Sequence, residues 1–210
     1  MKVISTNIAQ PTKIQWNGEE ITTGIFKQPI NTPITLEKEI VANDIIADRK
    51  VHGGIYKACY LFSSDNYPYW KEKYSHLDWN WGMFGENLTV EGLDESKLCI
   101  GNTYRLGTAL VQITQPREPC FKLGVKFGTQ DILKQFLDHG FPGTYVSVLE
   151  EGEVTVGDVF ELTQESENAL TVQQFYRLLF SRKKDKDIVK LAIENQAVPL
   201  YKRERLKKFL

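Results

Sequence analysis

The sequence predicts a mainly β fold, a barrel-like or sandwich core with embedded helices, followed by a small C-terminal three-helix domain. Three observations predict it. Short runs rich in β-branched and aromatic residues, bounded by turn formers, recur up to about residue 162. Two stretches inside that region switch to helical periodicity. After the polar segment Gln164-Glu165-Ser166-Glu167-Asn168 the pattern stays helical, dividing the chain into residues 1–165 and residues 166–210.

The first local signal is Lys13-Ile14-Gln15-Trp16-Asn17-Gly18. Asn-Gly after an alternating run favours a type I′ hairpin, because both residues tolerate positive φ. Strands are expected over residues 58–62, 103–106, 109–114, 145–149 and 159–162. A helix is expected after Ser64-Asp65, carrying Tyr67, Tyr69, Trp70 and Tyr74. Another is expected over residues 129–139, with Ile132, Leu133, Phe136 and Leu137 inward and Gly140 as its stop. In the C-terminal part, Thr171 with Gln174 three residues on forms a capping-box pattern. A second helix is expected over residues 187–195, and Pro199 suits the first turn of a third. Three such short helices enclose little core of their own and should dock on the β region.

Hydrophobic residues at 41% and charged residues at 25% exclude a disordered chain. No charged-then-apolar leader is present and no run approaches the ~20 apolar residues that span a bilayer, so the chain reads as cytoplasmic with no membrane partner. Cys59, Cys99 and Cys120 match no zinc-ribbon or Cys-x-x-Cys spacing, which argues against a disulfide framework or an all-cysteine metal site. Charge is segregated: residues 1–170 carry 15 Lys and Arg against 23 Asp and Glu, and residues 171–210 carry 11 against 4. A basic tail suits an anionic partner, but a solvated helical face is the commoner meaning of such a run. No helix-turn-helix or aromatic-interleaved basic strand supports nucleic acid as that partner.

Three segments carry residues with chemistry. Gln115-Pro116-Arg117-Glu118-Pro119-Cys120-Phe121-Lys122-Leu123 follows a strand and reads as a loop stiffened by two prolines. Arg117 and Lys122 flank Cys120, and cations favour the thiolate, the form that attacks or binds a metal. Cys59 and Cys99 lie in apolar runs and read as buried packing. The second segment runs from Ala47-Asp48-Arg49-Lys50-Val51-His52 into Gly53-Gly54-Ile55-Tyr56-Lys57-Ala58. Its paired glycines let backbone N–H groups approach a ligand, with Arg49 and Lys57 near enough for a phosphate. In the third, Trp81-Gly82-Met83-Phe84-Gly85-Glu86-Asn87-Leu88-Thr89, Glu86 and Asn87 would fix polar groups of a ligand from one wall of a pocket, unless the loop only packs its aromatics.

Taken together and in order, HGGIYKA at 52–58, FGENLT at 84–89 and QPREPCFKL at 115–123 resemble the signature of MOSC-domain proteins, particularly the YiiM-like group. The resemblance spans essentially the whole chain, the helical C-terminus included. It departs from the usual pattern where Asn43-Asp44-Ile45-Ile46-Ala47-Asp48 replaces a Gly and a Gln, and where Gly101-Asn102 replaces Gly-Asp.

The resemblance implies a MOSC-type β-barrel-like core that binds the molybdenum cofactor, with Cys120 as the protein ligand to molybdenum. It makes Arg49, Lys57, Arg117 and Lys122 candidates for the cofactor's phosphate or pterin edge, alongside His52, Gly53, Gly54, Glu86 and Asn87 as further pocket residues. It implies reduction of N-hydroxylated compounds, hydroxylaminopurine-like bases and amidoximes, to amines. His52 and Asp48 are candidate proton donors or orienters. Electrons must come from a separate reductase, because no flavin, nicotinamide or iron-sulfur pattern is present. A non-catalytic cofactor carrier is the alternative. The sequence leaves the oligomeric state open, a homodimer included.

Overall fold

The computed structural model describes residues 1–45 and 53–210. Its strands are β1 (Lys2–Ile8), β2 (Thr12–Trp16), β3 (Glu19–Thr23), β4 (Gln28–Ile30), β5 (Ile34–Leu36), β6 (Cys59–Ser63), β7 (Leu88–Glu91), β8 (Thr103–Leu106), β9 (Ala109–Pro116), β10 (Thr144–Glu150), β11 (Gly152–Val154) and β12 (Glu161–Gln164). Its α-helices are α1 (Tyr67–Lys73), α2 (Phe121–Phe127), α3 (Asp131–His139), α4 (Val172–Phe180), α5 (Lys186–Glu194) and α6 (Leu200–Leu206).

Eight strands form one sheet in the order β12-β8-β9-β10-β6-β7-β1-β4, antiparallel except for the β6–β7 pair. The expected barrel-like closure is corrected to an open sheet. Among the described residues its two halves meet at one bridge, Lys2 with Val159, where Val3 N donates to Asp158 O and Phe160 N to Met1 O. β4 occupies the rest of that edge of β1, so no continuous ladder runs round the sheet. The hairpin β2–β3 turns on Asn17 and Gly18, both at positive φ, as the Asn-Gly signal requires.

β6 explains why its sequence reads as an unbroken apolar run: it is buried on both faces. Cys59 and Leu61 join an aliphatic core, whereas Tyr60 and Phe62 face an aromatic one with Tyr67, Trp70, Phe84 and Phe136. Phe62 stacks on Phe84 at 4.1 Å between centroids. α1 and α3 cover the aromatic face, and Gly140 at φ 77° ends α3 as expected.

The C-terminal helices share the aliphatic core of the sheet: Val172, Phe175, Val189, Ala192 and Val198 lie in one cluster with Val111, Ile113 and Val146. The Thr171–Gln174 capping box forms, and Asp185 caps α5 through the backbone N–H groups of Asp187 and Ile188. Asn195 Nδ2 donates to Ile100 O at 2.9 Å, fastening the helices to the sheet. Two sequence readings are corrected here. Residues 121–123 belong to α2 rather than to a loop, because Pro119 lies outside the helix and leaves it free to start. Cys99 is half-exposed and lies outside the named strands, held by a single bridge to Thr171. Among the described residues, no helix is long and apolar enough to cross a membrane.

Candidate functional site

Three chain segments converge beside the start of β6. The first, from Gly53 to Ala58, turns through Gly54 at φ 90° and is closed by Lys57 N donating to Gly54 O at 2.8 Å. Thr114 Oγ1 and Gln115 Nε2 both donate to Tyr56 O, at 2.8 and 3.2 Å, pinning this turn to β9. The second segment extends β9 through Pro116 to Cys120, which is the residue preceding α2 in extended conformation. Phe121 stacks on Trp16 at 4.6 Å, so the β2–β3 hairpin braces the first turn of α2.

The third segment is organised by Glu86, and its role differs from the expected ligand contact. Glu86 is fully buried. Its carboxylate accepts from the Tyr67 hydroxyl, from Gly82 N at 2.9 Å, from Phe84 N at 3.0 Å and from Thr89 Oγ1 at 2.8 Å. Such a satisfied carboxylate shapes the loop and does not reach the cavity wall. Asn87 does line the cavity, but its amide is already used. It accepts from Tyr60 N at 3.2 Å and donates to Asp44 at 2.8 Å.

The cavity brings together Cys120, Arg117, Lys122, Lys57 and Asn87, residues spread over more than sixty positions of sequence. Gly53 and Gly54 line the adjoining cleft instead. Asp48, Arg49 and His52 lie outside the described residues. Sequence reasoning missed a buried ion pair in the wall, Lys27 with Asp44. Asp44 also accepts from Ala9 N at 2.8 Å, so this one carboxylate ties β1, the segment before β4 and the family-motif loop together. Asn43, where the resemblance led to an expected Gly, sits at φ 62°. Asn tolerates that conformation better than other residues with a Cβ, so the departure keeps the turn. Gly24 is held equally tightly, since a Cβ there would lie 1.9 Å from Ile45 O.

Arg117 is the most telling side chain. It is buried, its guanidinium lies 5.4 Å from the Tyr60 ring and 5.5 Å from the Phe136 ring, and its Nη1 is buried without a hydrogen-bond partner among the described residues. A buried cation with an unfilled donor is costly unless an acceptor completes it. Lys57 is half-buried; burial, and next the neighbouring Lys202 ammonium, hold it below the ordinary lysine value. Lys126 ties the Glu86 loop to the segment before β4, donating to Gly82 O at 2.7 Å and Ile25 O at 3.1 Å, with burial pulling its pKa down to about 8. Burial raises Tyr145 to about 12, so it stays a neutral phenol in the wall.

Cys120, Lys57 and Tyr145 also line a second, larger cleft of about 840 Å³ between the sheet and the C-terminal helices. Lys184, Lys202, Arg205 and Lys208 stand in its wall. The basic tail is therefore not merely a solvated face, as the charge run alone suggested. Among the described residues no group of three or more His, Cys, Asp or Glu is placed to hold a metal ion.

Residues 48–161 match the MOSC domain family. The chain is 37% identical over 196 residues to the uncharacterized protein YflK of Bacillus subtilis (strain 168), covering 93% of this chain and 88% of that protein. It is 32% identical over 168 residues to a protein named Reductase from Gibberella moniliformis, covering 79% of this chain but 30% of that protein. The crystal structure of YiiM from Geobacillus stearothermophilus superposes with a TM-score of 0.82 at 30% identity, covering 100% of this chain and 98% of that one.

Proposed function

Because the chain belongs to the MOSC domain family, we propose that it binds the molybdenum cofactor and reduces N-hydroxylated compounds, hydroxylaminopurine-like bases and amidoximes, to amines. The observation that carries this reading is the convergence of Cys120 with the buried, incompletely bonded Arg117 in one cavity. The residues present fit such a group. A cysteine thiolate is a soft ligand suited to a redox-active metal, and Arg117, Lys57 and Lys122 supply cations for a phosphate or the polar edge of a pterin. Among the described residues no cluster of three or more His, Cys, Asp or Glu is placed to hold a metal ion, which suits a metal carried in on a cofactor.

Held by Cys120 with Arg117, Lys57 and Lys122 around it, the cofactor would supply two-electron redox chemistry for cleaving the N–O bond, with a separate reductase as the electron source. The balance is R–NH–OH plus two electrons and two protons giving R–NH2 and water. The chain's own part is to orient and protonate. Tyr60 and Phe136 hold the Arg117 plane, and the Lys27–Asp44–Asn87 cluster fixes the opposite wall. His52 and Asp48, which lie outside the described residues, remain the proposed proton donors or orienters by residue type. A carrier that only hands the cofactor on has no need of a substrate-sized cleft beside Cys120, and that cleft favours the enzyme.

The test is molybdenum and pterin content of protein made in cofactor-competent and cofactor-deficient hosts, with Arg117→Ala beside wild type. Wild type from the competent host should carry both and the variant markedly less, since a charge-assisted contact is worth roughly 1.5–3 kcal/mol. Well-folded wild type lacking molybdenum from both hosts refutes the reading.

A further inference from the structure

The cleft beside Cys120 carries more positive charge than a neutral base or amidoxime needs. α6 and the turn after it place Lys202, Arg205 and Lys208 three residues apart along one face, with Lys184 and Lys57 completing the wall. Among the described lining residues Glu118 is the one carboxylate, and Lys202 already engages it. Lys184 donates to the last carbonyls of α4, Leu178 O at 2.5 Å and Leu179 O at 3.0 Å. Among the described residues, Arg205 and Lys208 have no ion-pair partner, and both are exposed at the rim. Interleaved with these cations are aromatic rings: Tyr56, Tyr145, Tyr201 and Phe209.

We propose that this cleft recognises a phosphate, so that the physiological substrate is an N-hydroxylated base carried on a sugar phosphate, a nucleotide and not a free base. This rests on the reductase reading above. The physical case is one of size and charge. At about 840 Å³ the cleft lies within the ~300–1,000 Å³ range of small-molecule sites, and a lone purine leaves the cationic end unfilled. Tyr56, Tyr145 and Tyr201 in the same wall offer aromatic contact to a planar base, while Arg205 offers a planar fork and Lys208 a point charge for phosphate oxygens. The cofactor's own phosphate is the other source of the same chemistry.

The experiment titrates adenosine 5′-monophosphate and adenosine, neither of which is reducible, into holoprotein by calorimetry, for wild type and for the double variant Arg205→Ala, Lys208→Ala. Wild type should bind the monophosphate at least about tenfold more tightly than the nucleoside, with the preference weakening as salt rises. The double variant should lose that preference while keeping its molybdenum and pterin content. Equal binding of the two ligands, or an undiminished preference in the variant, overturns the proposal. Loss of the cofactor from the variant also overturns it, assigning these cations to the cofactor's phosphate. Competition by inorganic phosphate as strong as by the nucleotide overturns it too, since the site then reads a bare anion. If the binding behaves as expected yet neither hydroxylaminopurine nor its ribonucleotide is reduced, the cleft assignment stands and the reductase reading falls.

Discussion

Lys202 of α6 donates to the carboxylate of Glu118, two positions before Cys120, so the last α-helix is bonded directly to the cysteine-bearing loop. The Lys202 side chain is 5% exposed and that of Glu118 44%. The two ends of this pair are therefore unequal. Glu118→Ala strands a buried ammonium and should cost about 1–3 kcal/mol, discounted from a fully buried pair because the carboxylate is half in water. Lys202→Met returns the carboxylate to solvent and keeps the stem, and should cost under about 1 kcal/mol. Urea unfolding of both variants checks the order. A larger loss for Lys202→Met means that the pair contributes less than the packing of the lysine near Phe175.

A second prediction concerns pH. Glu95 is fully buried, its Oε1 accepts from Gly143 N at 2.8 Å, and its Oε2 has no partner among the described residues. Burial raises its pKa from 4.5 to about 7. The folded state thus holds a proton that the unfolded state has released, so the stability this group confers is complete below pH 4.5 and disappears as pH rises through 7. The loss is on the order of 3 kcal/mol. Glu95→Gln keeps an acceptor for Gly143 and removes the ionisation, so its unfolding free energy should be flatter than wild type between pH 5 and 8. An unchanged slope means that another group titrates.

Sequence distance marks the boundary of what was legible in the sequence. Local chemistry was legible: Asn17-Gly18 made its turn, Thr171 and Gln174 made their box, and Gly140 stopped its helix, because each signal acts within four residues. β1 was not anticipated, although it joins β7 to the edge strand β4, because pairing with β7 across more than eighty residues leaves no local mark. For the same reason the Lys27–Asp44 pair was missed, and Glu86 read as a ligand contact when its four bonds are internal. Motif order identified which residues meet at Cys120, but only the fold shows that the C-terminal cations meet there too.

Glu86 supports a third prediction. Removing its carboxylate strips acceptors from Tyr67, Gly82, Phe84 and Thr89 in a site closed to water. Glu86→Ala should destabilise by about 3 kcal/mol or more, the combined cost of several unsatisfied donors. Cofactor loss should then follow unfolding. Comparing melting temperature with molybdenum content over a temperature series checks this: a variant that melts like wild type but carries no molybdenum makes Glu86 a direct contact after all.

The cysteines separate the proposed metal chemistry from packing, and the fold sharpens the comparison. Cys59 is buried in β6 within the aliphatic core, where burial raises its thiol pKa far beyond the ordinary value, so it is a small hydrophobe. Cys59→Ser places a hydroxyl there and should cost about 1–3 kcal/mol if no partner takes it, while activity per folded molecule persists. Cys99 is half-exposed, so Cys99→Ser should be within about 0.5 kcal/mol of wild type in stability and intact in activity. Cys120 stands in the wall shared by the cavity and the cleft. Cys120→Ser is close in size, so the melting temperature of the cofactor-free protein should hardly move. A serine hydroxyl is a poor, rarely ionised ligand for molybdenum, however, and reduction of hydroxylaminopurine with a supplied electron donor should be abolished. Melting curves and turnover per folded molecule, measured on all three variants together, distinguish the roles. Should Cys120→Ser melt far below wild type and still turn over, Cys120 is packing and the metal lies elsewhere.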